Sequence, residues 1–388
     1  MPRKLSDLLK YFLPLTNDEK LTLRDITLLS SEDISEIKKL LKERRVAAKR
    51  WSIKSPSGEL SYPVFECIAK EDEKLHEYIA EINKKLREHF SEKEFRKFSQ
   101  EAATFILKHI APGIEGMQVI KEAAMLQLFA KEPVHILLLG DPGTGKTEIL
   151  RSVAGLHPIS TFGLGSGTTG VGLSVTVKGR EVLPGLLPMA DGGICAIDEL
   201  NLMDEKDRAS LYNAMEKGFI SYSKGGRHYQ FDARVRIIAT ANPKGDKFAG
   251  NTLTKIKKQI PFDSALLSRF HLIFLIRRPS TEEFNKITRR ILSEEERAST
   301  NYYEFIREYI RFAENIKVEV KDEIKQEIVD FASQIKEMEE KTFIEITPRL
   351  VKGLLSLAKA SARLRLDITV KAEDINIVKS IISRSLVY

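Results

Sequence analysis

The sequence predicts an α/β protein in which a parallel sheet flanked by helices is followed by an all-helical part and preceded by a small α+β part. Apolar strand candidates alternate with helices between residues 111 and 278, as expected for a parallel sheet covered on both faces. Beyond Pro279 only helices are predicted. The first 70 residues combine short helices with two strand-like runs, which indicates a separate module.

Four segments are predicted along the 388 residues. They are a small helix and hairpin module at 1–70, a helical linker at 71–110, an α/β part at 111–278 and a helical lid at 279–388. The module resembles a winged helix, because a helix near 33–43 is followed by strand-like runs at 46–54 and 60–68. Its basic residues around Trp51 are suited to hold a phosphate backbone, and a solvated helix face with a packed tryptophan is the equal alternative.

Local signals predict where several elements lie. Strands of the sheet are predicted at 134–139, 193–197, 235–240 and 272–276. Ser91 with Glu94 has the spacing of a capping box, and so has Ser280 with Glu283. Thr347 precedes a proline at a predicted first helical position, which also indicates the start of a helix.

Composition excludes some classes of protein. No run of 18 apolar residues and no signal peptide is present, so no membrane segment is expected and the predicted location is cytoplasmic. Cys67 and Cys195 are the two cysteines, too few and too far apart to predict a disulfide framework or a zinc site. The net charge of +7 favours an anionic partner such as nucleic acid without demanding one.

The strongest functional signal is a glycine-rich run that follows the first predicted strand of the sheet and precedes a helix. Its residues are Gly140, Asp141, Pro142, Gly143, Thr144, Gly145, Lys146 and Thr147. In such a loop, backbone N–H groups surround the phosphates of a nucleotide and the helix N-terminus adds its positive dipole end. Lys146 is expected to contact the β- and γ-phosphates of ATP, and Thr147 to bind Mg²⁺.

Polar residues also follow two later strand candidates. Asp198 is expected to orient Mg²⁺ and Glu199 to polarise the attacking water, since positioning and charge stabilisation carry phosphoryl transfer. After the strand at 235–240, Asn242 offers an amide that is suited to hold this water or to contact the γ-phosphate. Without the glycine-rich loop, the acids would be a solvated strand end and Asn242 a turn former.

Several further segments occur in a fixed order. They are 111–116 and 125–129 before the first strand, 197–203, 207–208 and 214–216 after the acidic pair, and 266–270 leading into 272–274. Over residues 111–365 these segments resemble the minichromosome maintenance (MCM) branch of the AAA+ ATPases. The resemblance implies that Arg269 is an arginine finger for the γ-phosphate held by a neighbouring subunit, where a planar guanidinium stabilises the transferring phosphoryl group. It also implies that Arg349, in Thr347-Pro-Arg349, is a sensor 2 residue that contacts nucleotide, usually on the adjacent subunit.

Two insertions support the resemblance. Residues 165–187 resemble the helix 2 insert of the family, and their glycines favour a mobile loop. Residues 219–231 predict a hairpin with Gly225-Gly226 at its turn, which resembles the presensor 1 hairpin. Lys224 falls on the lysine that faces DNA in the family's central channel, and Lys224, Arg227 and His228 are suited to contact backbone phosphates.

The resemblance implies an ATP-hydrolysing DNA translocase or helicase that forms a ring, a hexamer in this family, around single-stranded or forked DNA. One alternative is a protein-remodelling ATPase of the MoxR or chelatase kind, which shares the two insertions. The other is an accessory MCM-like subunit that binds nucleotide and regulates a helicase.

The sequence departs from the family pattern in several places. His271 stands where the family has Asp, and Gly145 and Thr147 replace the usual Ala and Ser. The family's oligonucleotide-binding barrel, which commonly carries a zinc site, is not recognisable in residues 1–110, and neither is a C-terminal winged helix after the lid. No zinc is therefore expected.

Overall fold

The chain divides into two compact units, Met1–Gln100 and Glu101–Tyr388. The computed structural model describes residues 29–68, 72–168, 170–178, 181–224, 227–245, 247–250, 252–292, 302–342 and 345–386. The division into four segments stays a prediction.

The described part of the first unit is a hairpin packed with two helices. Its elements are α1 (Ser31–Lys42), β1 (Val46–Ser55), β2 (Gly58–Cys67) and α2 (Glu73–Phe98). Ile37, Phe65 and Ile82 lie in the apolar core that these elements share. Ser30 caps α1, because its side chain accepts a hydrogen bond from the N–H of Asp33 at 3.0 Å. The predicted α+β character is confirmed, and the likeness to a winged helix stays a prediction.

The predicted helix start at Ser91 is wrong, because α2 continues through this residue. The Ser91 hydroxyl is buried and has no hydrogen-bond partner among the described residues. Glu94 instead accepts hydrogen bonds from the hydroxyls of Ser55, at 3.2 Å, and Ser57 at the hairpin turn. A serine three residues before a glutamate also occurs inside helices, so the spacing alone does not define a start.

The second unit begins with an α/β part whose elements alternate as predicted. In chain order they are α3 (Ala102–His109), α4 (Gln118–Phe129), β3 (Ile136–Gly140), α5 (Lys146–Leu156), β4 (Ser160–Leu164), α6 (Gly170–Leu173), β5 (Val175–Lys178), β6 (Glu181–Pro184), α7 (Leu186–Met189), β7 (Ile194–Asp198), α8 (Arg208–Lys217), β8 (Phe219–Lys224), β9 (Arg227–Asp232), β10 (Arg236–Ala241), α9 (Leu253–Gln259), α10 (Ser264–Leu267) and β11 (Leu272–Ile276).

Five of these strands form one parallel sheet in the order β11-β3-β10-β7-β4. Every residue of β3, β7 and β10 is buried, because both faces of a parallel sheet are covered. The four predicted strands are present, and the fold class is confirmed. The sequence did not reveal β4, an edge strand whose residues are largely exposed or half-buried.

The helical lid completes the second unit. Its helices are α11 (Thr281–Leu292), α12 (Tyr303–Glu314), α13 (Asp322–Glu337), α14 (Pro348–Leu364) and α15 (Ala372–Leu386). The predicted capping box at Ser280 is confirmed, because Glu283 accepts from its N–H at 2.8 Å and from its hydroxyl at 2.9 Å. Arg363 in α14 donates to the carbonyl of Phe129 at 2.6 Å and so joins the lid to the end of α4.

Within the described residues, no helix combines the length and the apolar character needed to cross a membrane.

Candidate ATPase site

The glycine-rich loop connects β3 to α5 at the carboxyl edge of the sheet. Gly143 and Gly145 have φ angles of 74° and 85°, left-handed values that glycine adopts without steric cost. Gly145 directly precedes α5, so the unpaired N–H groups of the first helical turn adjoin the loop. This combination of turning backbone and helix N-terminus is suited to bind phosphate.

Lys146 is the buried cation of this loop, with 7% of its surface exposed. Its ammonium donates to the carbonyls of Gly140 at 2.8 Å and Asp141 at 2.7 Å. Burial lowers its pKa to about 8, while the charges of Asp141, Asp198 and Glu199 oppose that shift. Because desolvation disfavours the charged form, an additional anion such as phosphate would stabilise the ammonium.

Thr147 and Asp198, predicted as the Mg²⁺ pair, lie together although they are far apart in sequence. The Thr147 hydroxyl donates to Asp198 Oδ1 at 3.2 Å. Thr240, at the end of β10, donates to the same oxygen, and its own hydroxyl accepts from the N–H of Glu199 at 2.9 Å. A hydroxyl and a carboxylate at the edge of a phosphate loop are the oxygen ligands that Mg²⁺ prefers. The donor set therefore fits a nucleotide with its magnesium.

Glu199 lies next to this cluster in a left-handed conformation, with φ of 53°. The chain at Gly165 approaches it so closely that a Cβ at Gly165 would lie 2.1 Å from the Glu199 carbonyl oxygen. Non-glycine residues with such backbone angles persist where the surroundings hold them, and they are concentrated at functional sites. The beginning of the helix 2 insert thus constrains the backbone of the predicted water-polarising acid.

The residues that hold the loop ends in place include several that the sequence analysis missed. Asn242 donates its N–H to the side-chain oxygen of Asn201 at 2.9 Å. Asp141 is buried, and its carboxylate accepts from the N–H groups of Phe248 at 2.7 Å and Arg278 at 3.1 Å. These contacts anchor the phosphate loop and the Asn242 segment to the rest of the second unit. Long-range contacts of this kind leave no local sequence signal.

Arg269 lies outside the cluster around Lys146. Its guanidinium forms an ion pair with Glu216 at 2.9 Å, donates to the Ala265 carbonyl and lies 4.7 Å from the ring centroid of Tyr212. Among the residues that the structure describes, it makes no hydrogen bond or ion pair to the glycine-rich loop. The predicted arginine finger is therefore held by residues other than those of its own phosphate loop.

Arg349 lies beside Arg269. It donates to the carbonyl of Ser268 at 2.7 Å. Burial and the charge of Arg269 lower the pKa of Arg349, and Glu216 opposes this shift. The structure thus brings the two arginines together, held by the Glu216 carboxylate and the backbone carbonyls of Ala265 and Ser268.

The predicted hairpin is present as β8 and β9, with Lys224 and Arg227 opposite each other in the register. His228 is exposed, and the turn residues 225–226 lie outside the described residues. The segment predicted as the helix 2 insert contains α6, a small hairpin of β5 and β6, and α7. Its predicted mobility stays a prediction.

Comparison with known families identifies this part of the chain. The profile of the MCM P-loop domain matches residues 91–295, and that of the MCM AAA-lid domain matches residues 304–386. The chain belongs to the MCM family. It therefore carries an MCM P-loop ATPase domain followed by the lid of the same family.

Relatives of this MCM chain come from archaea and eukaryotes. The chain is 32% identical to the minichromosome maintenance protein MCM of Saccharolobus solfataricus, over 69% of this chain and 42% of that protein. It is 31% identical to DNA replication licensing factor MCM4 of Drosophila melanogaster, over 70% of this chain and 34% of that protein. Each alignment therefore spans less than half of the relative's length.

Proposed function

We propose that this MCM chain is an ATP-driven DNA translocase or helicase motor that hydrolyses ATP between the subunits of a ring. The observation that best supports ATP hydrolysis is that Thr147, Asp198 and Thr240 meet at the end of the phosphate loop. Such a cluster is suited to hold Mg²⁺ on the phosphates of bound ATP, and Mg²⁺ would neutralise charge that develops during phosphoryl transfer.

The chain's own residues supply the other functions. Lys146 would contact the β- and γ-phosphates, where its buried ammonium gains an anionic partner. Glu199 and Asn242 would position and polarise the attacking water. The buried anchors of the loop, Asp141 above all, would keep this arrangement in place.

The arginines support an active site shared between subunits. Arg269 and Arg349 lie together, and within the described residues they make no hydrogen bond or ion pair to the phosphate loop of their own protomer. A guanidinium supplied by the next subunit stabilises the transition-state charge of phosphoryl transfer. A closed ring, with six copies by family resemblance, would place the pair of one subunit at the nucleotide of the next.

DNA is the proposed substrate of the ring. The β8–β9 hairpin would present Lys224, Arg227 and His228 to the sugar–phosphate backbone, where cations contribute affinity without reading sequence. The names of the relatives, which include DNA replication licensing factors, agree with this substrate.

ATP turnover with and without single-stranded and forked DNA, combined with a mass determination in solution, tests the proposal. We expect an oligomer whose turnover rises with DNA and is abolished in Lys146→Ala. Exposed Lys131, in the turn before β3, gives the control variant Lys131→Ala, which should keep full turnover. Hydrolysis that persists in Lys146→Ala would refute the site. Turnover that responds to a protein partner and never to DNA would favour a protein-remodelling ATPase, and nucleotide binding without turnover would favour an accessory subunit.

A further inference from the structure

His271, one of the residues that depart from the family pattern, lies in the interior of the second unit with 6% of its surface exposed. Its backbone N–H donates to the carbonyl of His135 at 2.9 Å, and its ring Nδ1 accepts from the N–H of His135 at 3.0 Å. His135 directly precedes β3, the strand that leads into the phosphate loop. His271 is thus joined to the base of that strand by two hydrogen bonds, one through its backbone N–H and one through its imidazole.

The opposite contact of His271 is with the lid. A Cβ built at Gly353 of α14 would lie 2.7 Å from Cδ2, 3.1 Å from Cβ and 3.2 Å from Cγ of His271. Glycine is disfavoured in a helix interior, but here a hydrogen in place of a side chain lets the helix approach the imidazole. The two residues are therefore sterically complementary.

The two segments that meet here, residues 268–271 and helix α14, also carry the two arginines that are predicted to contact the nucleotide of a neighbouring subunit. Arg349 is one helical turn before Gly353, so both residues lie on one face of α14. Arg349 donates to the Ser268 carbonyl at 2.7 Å, and Arg269 lies between Ser268 and His271 in sequence. The segment 268–271 and helix α14 are thus joined twice, at Ser268 with Arg349 and at His271 with Gly353.

We propose that His271 and Gly353 form a positioning joint that fixes Arg269 and Arg349 relative to each other and to the strand of their own phosphate loop. The inference rests on the proposed function, in which these arginines complete the neighbouring subunit's site. Because His135 holds the imidazole at the base of β3, the joint links the strand of one nucleotide site to the arginines that serve the next.

The protonation state of His271 fits this role. Nδ1 can accept from the His135 N–H only when it carries no proton. Burial and the charge of Arg349 lower the pKa of His271 to about 4, so the ring is neutral at physiological pH. The second titratable neighbour is His135, whose ring centroid is 5.2 Å away and whose own pKa is lowered by burial.

A double-mutant cycle tests the complementarity. Gly353→Ala should displace the imidazole and lower kcat on the order of ten- to a hundredfold, because misplaced transition-state contacts are costly, with the KM for ATP within about twofold. Adding His271→Ala to Gly353→Ala should restore at least about threefold, since the new methyl group then occupies space left by the ring. Lys352→Ala, an exposed neighbour on the same helix, is the control and should keep full turnover. Equal kcat in Gly353→Ala and wild type, or a double variant no better than Gly353→Ala, would overturn the joint.

Subunit mixing separates a positioning role from a merely structural one. Gly353→Ala subunits retain an intact phosphate loop, and Lys146→Ala subunits retain intact arginines. Mixed rings should therefore recover turnover at sites where a Lys146→Ala subunit supplies its arginines to a Gly353→Ala neighbour. If Gly353→Ala instead damaged the phosphate site of its own subunit, the mixed rings would recover no turnover. That result would overturn the proposal.

The failure of the proposed function looks different. If it is wrong, wild-type protein shows no turnover, or Arg269→Ala mixed with Lys146→Ala shows no recovery. If recovery occurs in that mixture but not with Gly353→Ala, the shared site stands and only the joint is refuted.

Discussion

Replacement of Gly140 by alanine tests the closest backbone approach beneath the phosphate loop. Gly140 ends β3 opposite Ile276 of β11. A Cβ at Gly140 would lie 2.3 Å from the Ile276 carbonyl oxygen and 2.6 Å from the Ile276 Cβ. The φ angle of Gly140 is not left-handed, so an alanine could adopt this backbone conformation. Alanine is unfavourable here because its methyl group would collide with Ile276.

The size of the effect follows from these distances. The strands must separate by about 1 Å for the methyl group to reach ordinary contact distance, and this separation stretches the hydrogen bond of 2.9 Å from the Asp141 N–H to the Ile276 carbonyl. Overpacking typically costs about 1–3 kcal/mol and a lost hydrogen bond about 1 kcal/mol, while alanine returns about 0.5–1 kcal/mol by restricting the unfolded chain. We expect the free energy of unfolding to fall by about 2–3 kcal/mol.

Urea unfolding of the full chain, followed by far-UV circular dichroism, gives the measurement. Trp51 is the only tryptophan and lies in the first unit, so its fluorescence reports that unit separately and should not change. Gly113→Ala is the matched control, because a Cβ there meets nothing within 4 Å. A Gly140→Ala midpoint equal to that of Gly113→Ala would refute the close approach.

Three further predictions concern buried groups. The pKa of His271 is about 4 in the folded protein against 6.5 in the unfolded chain, so its contribution to stability is complete above pH 6.5 and declines as the pH falls towards 4. Between pH 8 and pH 5, wild type should therefore lose about 2 kcal/mol more unfolding free energy than His271→Asn. Equal shifts of the urea midpoints of the two proteins would contradict this. Ser91→Ala should raise the stability of the first unit by about 1 kcal/mol, because a buried hydroxyl without a partner is removed; a lower midpoint by Trp51 fluorescence would show that the hydroxyl is satisfied. Tyr309→Phe should cost about 1 kcal/mol of unfolding free energy in the second unit, because it removes the 2.6 Å hydrogen bond to the Leu364 carbonyl; unchanged thermal unfolding would argue against that bond.

Much of the sheet could be predicted because its signals are local. The buried strands are uninterrupted apolar runs, and the phosphate loop is a contiguous pattern that a strand precedes and a helix follows. The edge strand β4 was not predicted from the sequence, because half-exposed residues and a glycine interrupt its apolar pattern. The predicted helix start at Ser91 failed because the spacing of Ser91 and Glu94 is a local signal, whereas in the structure α2 continues through both residues.

The supports of the site could not be predicted in this way. Thr240 contacts Asp198 across 42 residues of sequence, and Asp141 contacts Phe248 across 107. Such pairs arise from the order of strands in the sheet, which brings separate carboxyl ends to one edge. A single sequence shows which side chains stand at strand ends but does not show which of them share a hydrogen bond.

The contact between Arg269 and Glu216 bears on the proposal that Arg269 serves the nucleotide site of a neighbouring subunit. The Glu216 side chain is about half exposed, at 52%, and partly exposed ion pairs contribute only about 0–1 kcal/mol. A guanidinium contact to phosphate is a charge-assisted hydrogen bond of the same kind as this pair. The Nε of Arg269 is moreover buried without a hydrogen-bond partner among the described residues, so the guanidinium has unused donor capacity. Transfer of Arg269 from Glu216 to a neighbour's nucleotide, as the proposed shared site requires, would therefore break only a weak ion pair.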